Sequence, residues 1–236
     1  MNRLLLLSAF FIVLSGASGC RGSLPVPEVP DGEKPERWSK AMEAFARQDR
    51  DAPPPPGGVV FVGSSSIRLW KTLKSDMAPV PVVHRGFGGA KLFDAIYHSE
   101  LLVSKHRPSL VVVFCGTNDI AGKRAKTAVA VRDLFRRLVA RLRWFDPDLR
   151  ICHIAITPTL AREEHLATVH EANRLIRADC DADRHLEFID PTPDLVDANG
   201  RPDPQWFVAD RLHLNARGYE VWTRHVRPVV LRWFRG

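Results

Sequence analysis

Asp210 and His213, three residues apart near the C-terminus, pair a carboxylate with the side chain that exchanges protons near neutral pH. Upstream, Gly63-Ser64-Ser65-Ser66 supplies hydroxyls and Gly116-Thr117-Asn118-Asp119 supplies an amide. Arg85-Gly86-Phe87-Gly88-Gly89 supplies backbone N–H groups unobstructed by large side chains. A hydroxyl is a poor nucleophile until a base removes its proton, and the base works best when a neighbour holds its tautomer. Amide and backbone donors can then meet the negative charge that builds on an acyl oxygen. Together these stretches hold the parts for acyl transfer through serine. Taken singly, each has a plainer use. Serines after a strand cap a helix, Asn-Asp starts a turn, glycines make a tight bend, and an Asp-His pair closes a cap. The glycines are not a dinucleotide-binding fingerprint, because the G-x-G-x-x-G spacing fails and no suitable acid follows.

Such parts act together only if a fold brings them together. Short apolar runs at 59–62, 80–83, 110–114, 151–156 and 186–189 read as buried strands. Between them lie helical patterns. One covers 36–47, with Trp38, Met42 and Phe45 on one face, and is ended by four prolines, Pro53 to Pro56. Another has Val131, Leu134, Phe135, Leu138, Val139 and Leu142 at helical spacing, and further helices are expected over 162–181 and 216–234. Continuous apolar strands alternating with helices predict a three-layer α/β/α sandwich with about five parallel strands, in the order 2-1-3-4-5. The serine, glycine and asparagine loops then all leave the carboxyl ends of strands, where open parallel sheets bind ligands.

In this order the blocks resemble those of the SGNH hydrolase superfamily, the GDSL-type esterases and lipases, over most of residues 58–220. The resemblance implies Ser65 as nucleophile, His213 as base and Asp210 as its orienting acid. It implies an oxyanion hole of the Ser65 and Gly89 N–H groups and the Asn118 side chain, with no cofactor and no metal. Two positions depart from the pattern. Ser64 stands where the family name has aspartate, and His84 stands where asparagine commonly precedes Arg-Gly; a strand-end histidine with a satisfied hydrogen bond accounts for the latter. An α/β-hydrolase is a poorer match, since G-x-S-x-G requires glycine where this chain has Ile67. The expected activity is hydrolysis of short acyl esters, with O-acetylated glycans and lysophospholipids as candidate substrates. An O-acetyltransferase using the same triad, or a non-catalytic binding protein on the same fold, are the alternatives. Thr157-Pro158 resembles a Thr-Pro turn that borders the pocket in the family, and the loops over 159–165 and 191–206 are expected to set substrate choice. Trp206 and Phe207 either wall the acyl site or pack in the core.

The N-terminus reads as an export signal over 1–19: Arg3, an apolar run from Leu4 to Leu14, then small residues. Ala17-Ser18-Gly19-Cys20 resembles a bacterial lipobox, with Ala17 where a larger aliphatic residue is usual. Lipidation at Cys20 would anchor the protein to a membrane, leaving a periplasmic or envelope-bound enzyme; simple secretion is the alternative. Residues 20–35, with Pro25, Pro27, Pro30 and Pro35, read as a tether, and 36–236 as the hydrolase domain. Loss of 1–19 removes one charge, Arg3, and takes the net charge from +7 to +6. The basic stripe Arg132, Arg136, Arg137, Arg141, Arg143 and the C-terminal Arg224, Arg227, Arg232, Arg235 read as solvated helix faces, and nothing resembles a nucleic-acid motif. Cys115, Cys152 and Cys180 read as buried thiols rather than disulfide or metal partners. The oligomeric state has no signature here.

Overall fold

The computed structural model describes residues 24–235, apart from the side chain of Arg235. The expected signal at 1–19 and Cys20 lie outside the described residues. Strands β1 (Val59–Gly63), β2 (Val82–Gly86), β3 (Leu110–Phe114), β4 (Arg150–Ile154) and β5 (Leu186–Ile189) form one parallel sheet in the order β2-β1-β3-β4-β5, as the alternating pattern predicts. The α-helices are α1 (Ser39–Asp51), α2 (Ser65–Leu69), α3 (Leu73–Asp76), α4 (Leu92–Tyr97), α5 (Ser99–Leu102), α6 (Thr117–Ile120), α7 (Ala128–Leu142), α8 (Leu166–Asp181) and α9 (Ala216–Arg235).

Successive strand residues point to opposite faces, so each strand feeds two cores. Val60, Val62, Val111, Val113 and Ile151 pack with Phe93, Phe135, Leu138 and Ile176 of α4, α7 and α8. Val59, Phe61, Val112, Phe114 and Ile154 pack on the other side with Ile67, Trp70, Trp222 and Val226. Trp222 of α9 meets Phe114 at 4.7 Å between ring centroids, edge to face, which pins the last helix under the end of β3.

Several boundaries move for local reasons. β2 starts at Val82 rather than at residue 80, because Pro79 and Pro81 flank Val80 and a proline has no N–H to give a ladder. The first helix opens with a 3-10 turn at Pro35–Trp38, and α1 then runs to Asp51; Ala52 precedes Pro53, and that position disfavours helix. The fourth apolar run leaves the ladder after Ile154. Asn173 of α8 takes over at Ile156, accepting its N–H at 2.8 Å and donating to its carbonyl at 2.9 Å. The helix expected over 162–181 becomes a 3-10 segment, Leu160–His165, followed by α8.

The basic stripe of α7 is largely engaged within the protein. Arg132 and Arg136 reach Asp179, Arg143 binds Asp183 at 2.5 Å, and Arg141 donates to Ser99 Oγ at 3.0 Å. Residues 24–34 carry no helix or strand but lie against the domain. Leu24 is buried, the Pro25 carbonyl accepts from Arg141 at 2.5 Å, and Glu33 pairs with Lys126 at 2.6 Å. Among the described residues no helix is long and apolar enough to cross a membrane.

Burial also sets an acid sensitivity. His153 on β4 is fully buried, stacked on Phe188 and edge-on to Phe135, and that burial pushes it down to about 4. His106 is likewise held at about 4 by burial and by the neighbouring Arg85 cation. The unfolded chain protonates both near the ordinary 6.5, so between that pH and about 4 the unfolded state binds more protons and stability falls as pH falls. Asp119 acts oppositely. Burial raises it to about 6, a contribution full at low pH and lost as pH rises through about 6. Two imidazoles against one carboxyl leave a net loss on acidification. The urea midpoint should therefore drop between about pH 7 and about pH 4.5, and His153→Phe should reduce the drop by an amount on the order of 3 kcal/mol in unfolding free energy. An unchanged slope in that variant would contradict the assignment.

Candidate active site

Ser65 sits at the strand-to-helix turn between β1 and α2. Gly63 closes that turn: its φ is +155°, and a Cβ there would lie 2.1 Å from the Phe114 carbonyl oxygen. No side chain fits, so the chain comes close enough for the Ser64 N–H to donate to the same carbonyl at 3.0 Å. The three consecutive serines then part. Ser64 is fully buried with its hydroxyl unpartnered, so it does not make the hydrogen bond its place in the block would allow. Ser66 is buried, and its carbonyl accepts from Tyr219 Oη at 2.8 Å. Ser65 alone of the three meets a histidine: its Oγ lies 2.8 Å from His213 Nε2.

His213 is held from both sides of its own turn. Asp210 Oδ1 accepts the Leu212 and His213 N–H groups, both at 2.9 Å, while Oδ2 lies 2.6 Å from His213 Nδ1. A carboxylate can only accept, so Nδ1 carries the proton and Nε2 is left to accept from Ser65. Burial works against ionisation of Asp210, but these hydrogen bonds outweigh it and lower the carboxyl to about 2. Arg211 takes a positive φ of 55° to close the turn. Asn215 follows as a cap: its Oδ1 accepts the Gly218 N–H at 3.0 Å and starts α9.

Asn118 belongs to α6, directly after β3. Its Nδ2 donates to the Ala90 carbonyl at 3.0 Å and its Oδ1 accepts from Arg162 at 2.9 Å. Gly89, with φ of +75°, is one residue from Ala90, and a Cβ there would lie 3.5 Å from the Trp38 ring, which itself is edge-on to Phe87 at 5.6 Å. Asp119 Oδ2 accepts the Leu92 N–H at 3.0 Å and so ties the asparagine loop to the glycine loop.

One cleft collects most of these groups. It is narrow and is lined by Ser65, Ser66, Phe114, Thr117, Asn118, Thr157, Thr159, Arg162, Leu212, His213 and Leu214. Ser65, His213 and Asn118 therefore share one space, with Asp210 behind the histidine. Gly89 does not line the cleft and is joined to it only through Ala90 and Asn118. Trp206 and Phe207 do not line it either: Phe207 is core, and Trp206 stacks under Arg217. His84 bonds the Ile67 carbonyl at 2.6 Å, away from the cleft. Among the described residues no group of three or more His, Cys, Asp or Glu side chains could hold a metal ion, and Cys115, Cys152 and Cys180 are free and buried.

Arg162 is the cleft residue that motif reading passes over. Arginine in a helical stretch looks like a solvated side chain, and only its non-helical backbone, φ −136° and ψ 36°, turns it inward.

The GDSL-like Lipase/Acylhydrolase family model matches residues 60–221. No curated protein matches the chain. Similar solved structures include a GDSL-like lipase from Bacteroides thetaiotaomicron, 20% identical with TM-score 0.67, covering 84% of this chain and 98% of that one. The lipase/acylhydrolase from Enterococcus faecalis is 20% identical with TM-score 0.64, over 75% of this chain and 96% of that one. A carbohydrate esterase family 3 protein from Talaromyces cellulolyticus is 16% identical with TM-score 0.62, over 76% and 98%. At these identities the likeness is one of fold.

Proposed function

Because the chain belongs to the GDSL-like lipase/acylhydrolase family and is a carboxylic ester hydrolase, we propose that it cleaves short acyl esters, acetyl esters foremost, through an acyl intermediate on Ser65. The observation that carries this is the hydrogen-bonded chain from Ser65 Oγ through both nitrogens of His213 to Asp210, at 2.8 and 2.6 Å. Ser65 Oγ attacks the ester carbonyl as its proton passes to His213 Nε2. The carbonyl oxygen becomes an oxyanion, which takes hydrogen bonds from the Ser65 N–H and the remaining Asn118 N–H, while the Gly89 turn supports Asn118 through the Ala90 carbonyl. When the tetrahedral centre collapses, His213 gives its proton to the departing alkoxide and an acyl-serine remains. Water repeats the sequence: His213 takes its proton as it attacks, and returns a proton to Ser65 as the acid leaves. Asp210 stays ionised throughout and stabilises the imidazolium.

The cleft supports a short acyl group. Its lining is largely polar, with Thr117, Asn118, Thr157, Thr159 and Arg162 beside Phe114, Leu212 and Leu214. The buried Thr157 hydroxyl has no partner, which suits a polar group of the substrate. Together with the carbohydrate esterase among the similar folds, this favours an O-acetylated sugar over a lipid. Export through the signal at 1–19, with a lipid on Cys20, would put such an enzyme in the bacterial envelope; mass spectrometry of the mature N-terminus reads that directly.

Across p-nitrophenyl esters of increasing chain length, kcat/KM should be highest for acetyl and fall at least about tenfold by octanoyl, the scale on which a pocket discriminates added methylenes. A flat profile, or a rise towards long chains, would remove the case for a short acyl group.

A further inference from the structure

We propose that Arg162 is a positioning residue for this hydrolysis, acting on the oxyanion through the amide of Asn118. The inference rests on the reading of Ser65 and Asn118 given above and deepens it. Arg162 breaks the 3-10 segment Leu160–His165 with its non-helical backbone and sends its guanidinium into the wall of the cleft. There Nη1 donates to the Thr117 carbonyl and, at 2.7 Å, to Thr117 Oγ1, while Nη2 donates to Asn118 Oδ1 at 2.9 Å. Among the described residues no carboxylate forms an ion pair with it; its charge is spent on this loop.

Two consequences follow for Asn118. First, its orientation is decided. The Ala90 carbonyl accepts only a donor and Arg162 offers only donors, so Nδ2 must face Ala90 and Oδ1 must face Arg162. That leaves one N–H of the amide for the cleft, and a flipped amide would leave none. Second, a cation on the amide oxygen draws electron density towards it and makes the remaining N–H a stronger donor, as linked hydrogen bonds polarise one another. The same segment is also tied to the base side of the cleft, where the Ala161 N–H donates to the Arg211 carbonyl at 3.1 Å, between Asp210 and His213. Lysine cannot replace this fork, because a single ammonium does not reproduce a planar guanidinium bonded to two residues at once.

The test is a set of p-nitrophenyl acetate kinetics on the full chain with Arg162→Ala, Arg162→Lys, Asn118→Ala and the double variant Asn118→Ala/Arg162→Ala. Arg162→Ala should lower kcat about a hundredfold, the scale of losing one oxyanion donor. Its KM should change by less than about threefold, the mark of an interaction made in the transition state. Arg162→Lys should fall between, and added guanidinium ion should restore part of the activity of Arg162→Ala. In the Asn118→Ala background, removing Arg162 should cost less than about threefold further, because its effect passes through a group already gone. Equal losses in both backgrounds, or a raised KM with kcat intact, would overturn the proposal and make Arg162 a direct substrate contact. If Arg162→Ala does not fold by circular dichroism, Arg162→Lys carries the same cycle. Ser65→Ala, run alongside, separates the two layers. Activity surviving there overturns the site and this inference together, whereas its loss beside a fully active Arg162→Ala overturns this inference alone.

Discussion

Replacing Ser65 with alanine lowers kcat for p-nitrophenyl acetate by roughly a million-fold, while the variant keeps its melting temperature. The size follows from the route. Without the hydroxyl, no acyl-serine forms and His213 loses the proton donor it sits against at 2.8 Å. What survives is direct attack by water, helped only by the donors around the oxyanion. The fold should not notice the change, because Ser65 is half-buried at the start of a short helix and the side-chain hydrogen bond it makes is the one to His213. Ser64→Ala and Ser66→Ala are the controls. Neither hydroxyl meets His213, so a comparable loss of kcat in either, with Ser65→Ala active, would move the nucleophile to a neighbour.

The second large effect is at Asp210, and the order of two variants is the informative part. Asp210 Oδ1 already accepts the Leu212 and His213 N–H groups. An asparagine there must keep its oxygen at that position, so its NH₂ faces His213 Nδ1. Two donors cannot bond each other; the imidazole must give up its Nδ1 proton and carry it on Nε2, where it can no longer accept from Ser65. Asp210→Asn should therefore lose about ten-thousand-fold in kcat. Asp210→Ala imposes no wrong tautomer. The side chain is 47% exposed, so water can enter and accept from Nδ1 in its place. Its loss should be smaller, on the order of a hundred- to a thousand-fold. Steady-state kinetics on both variants check the ranking, and an alanine variant as impaired as the asparagine one would mean that charge, not tautomer, is what Asp210 supplies.

The strands and their order were readable because apolar runs bounded by turns carry their own signal, and β3 and β5 span the residues expected of them. The boundaries that shifted did so through partners remote in sequence or through proline. Nothing in the run around Ile156 announces that Asn173 will take over its backbone hydrogen bonds. The arginines of α7 read as a solvated face because Asp179 and Asp183, their partners, lie on and just beyond the next long helix. In the site, Ser65, Asn118, Asp210 and His213 stood out by residue type and block order. The hydrogen bonds that orient them did not. Arg162 looks like any helical arginine until its backbone departs from the helix, and the stretch before Pro35 looks like free chain although Glu33 is paired with Lys126 beside the buried Asp119. Local pattern carries the type of an element; long-range pairing decides which polar groups finally meet.

A covalent acyl group at Ser65 is the intermediate on which the proposed hydrolysis depends. Mixing the enzyme with excess p-nitrophenyl acetate, quenching in acid within the first turnover and digesting the protein should yield one acetyl group on the peptide that carries Ser65, located to that residue by fragmentation. His213→Ala should abolish it. Rapid turnover by the wild-type enzyme with no acetylated peptide at any quench time, or with the acetyl group on another residue, would contradict it.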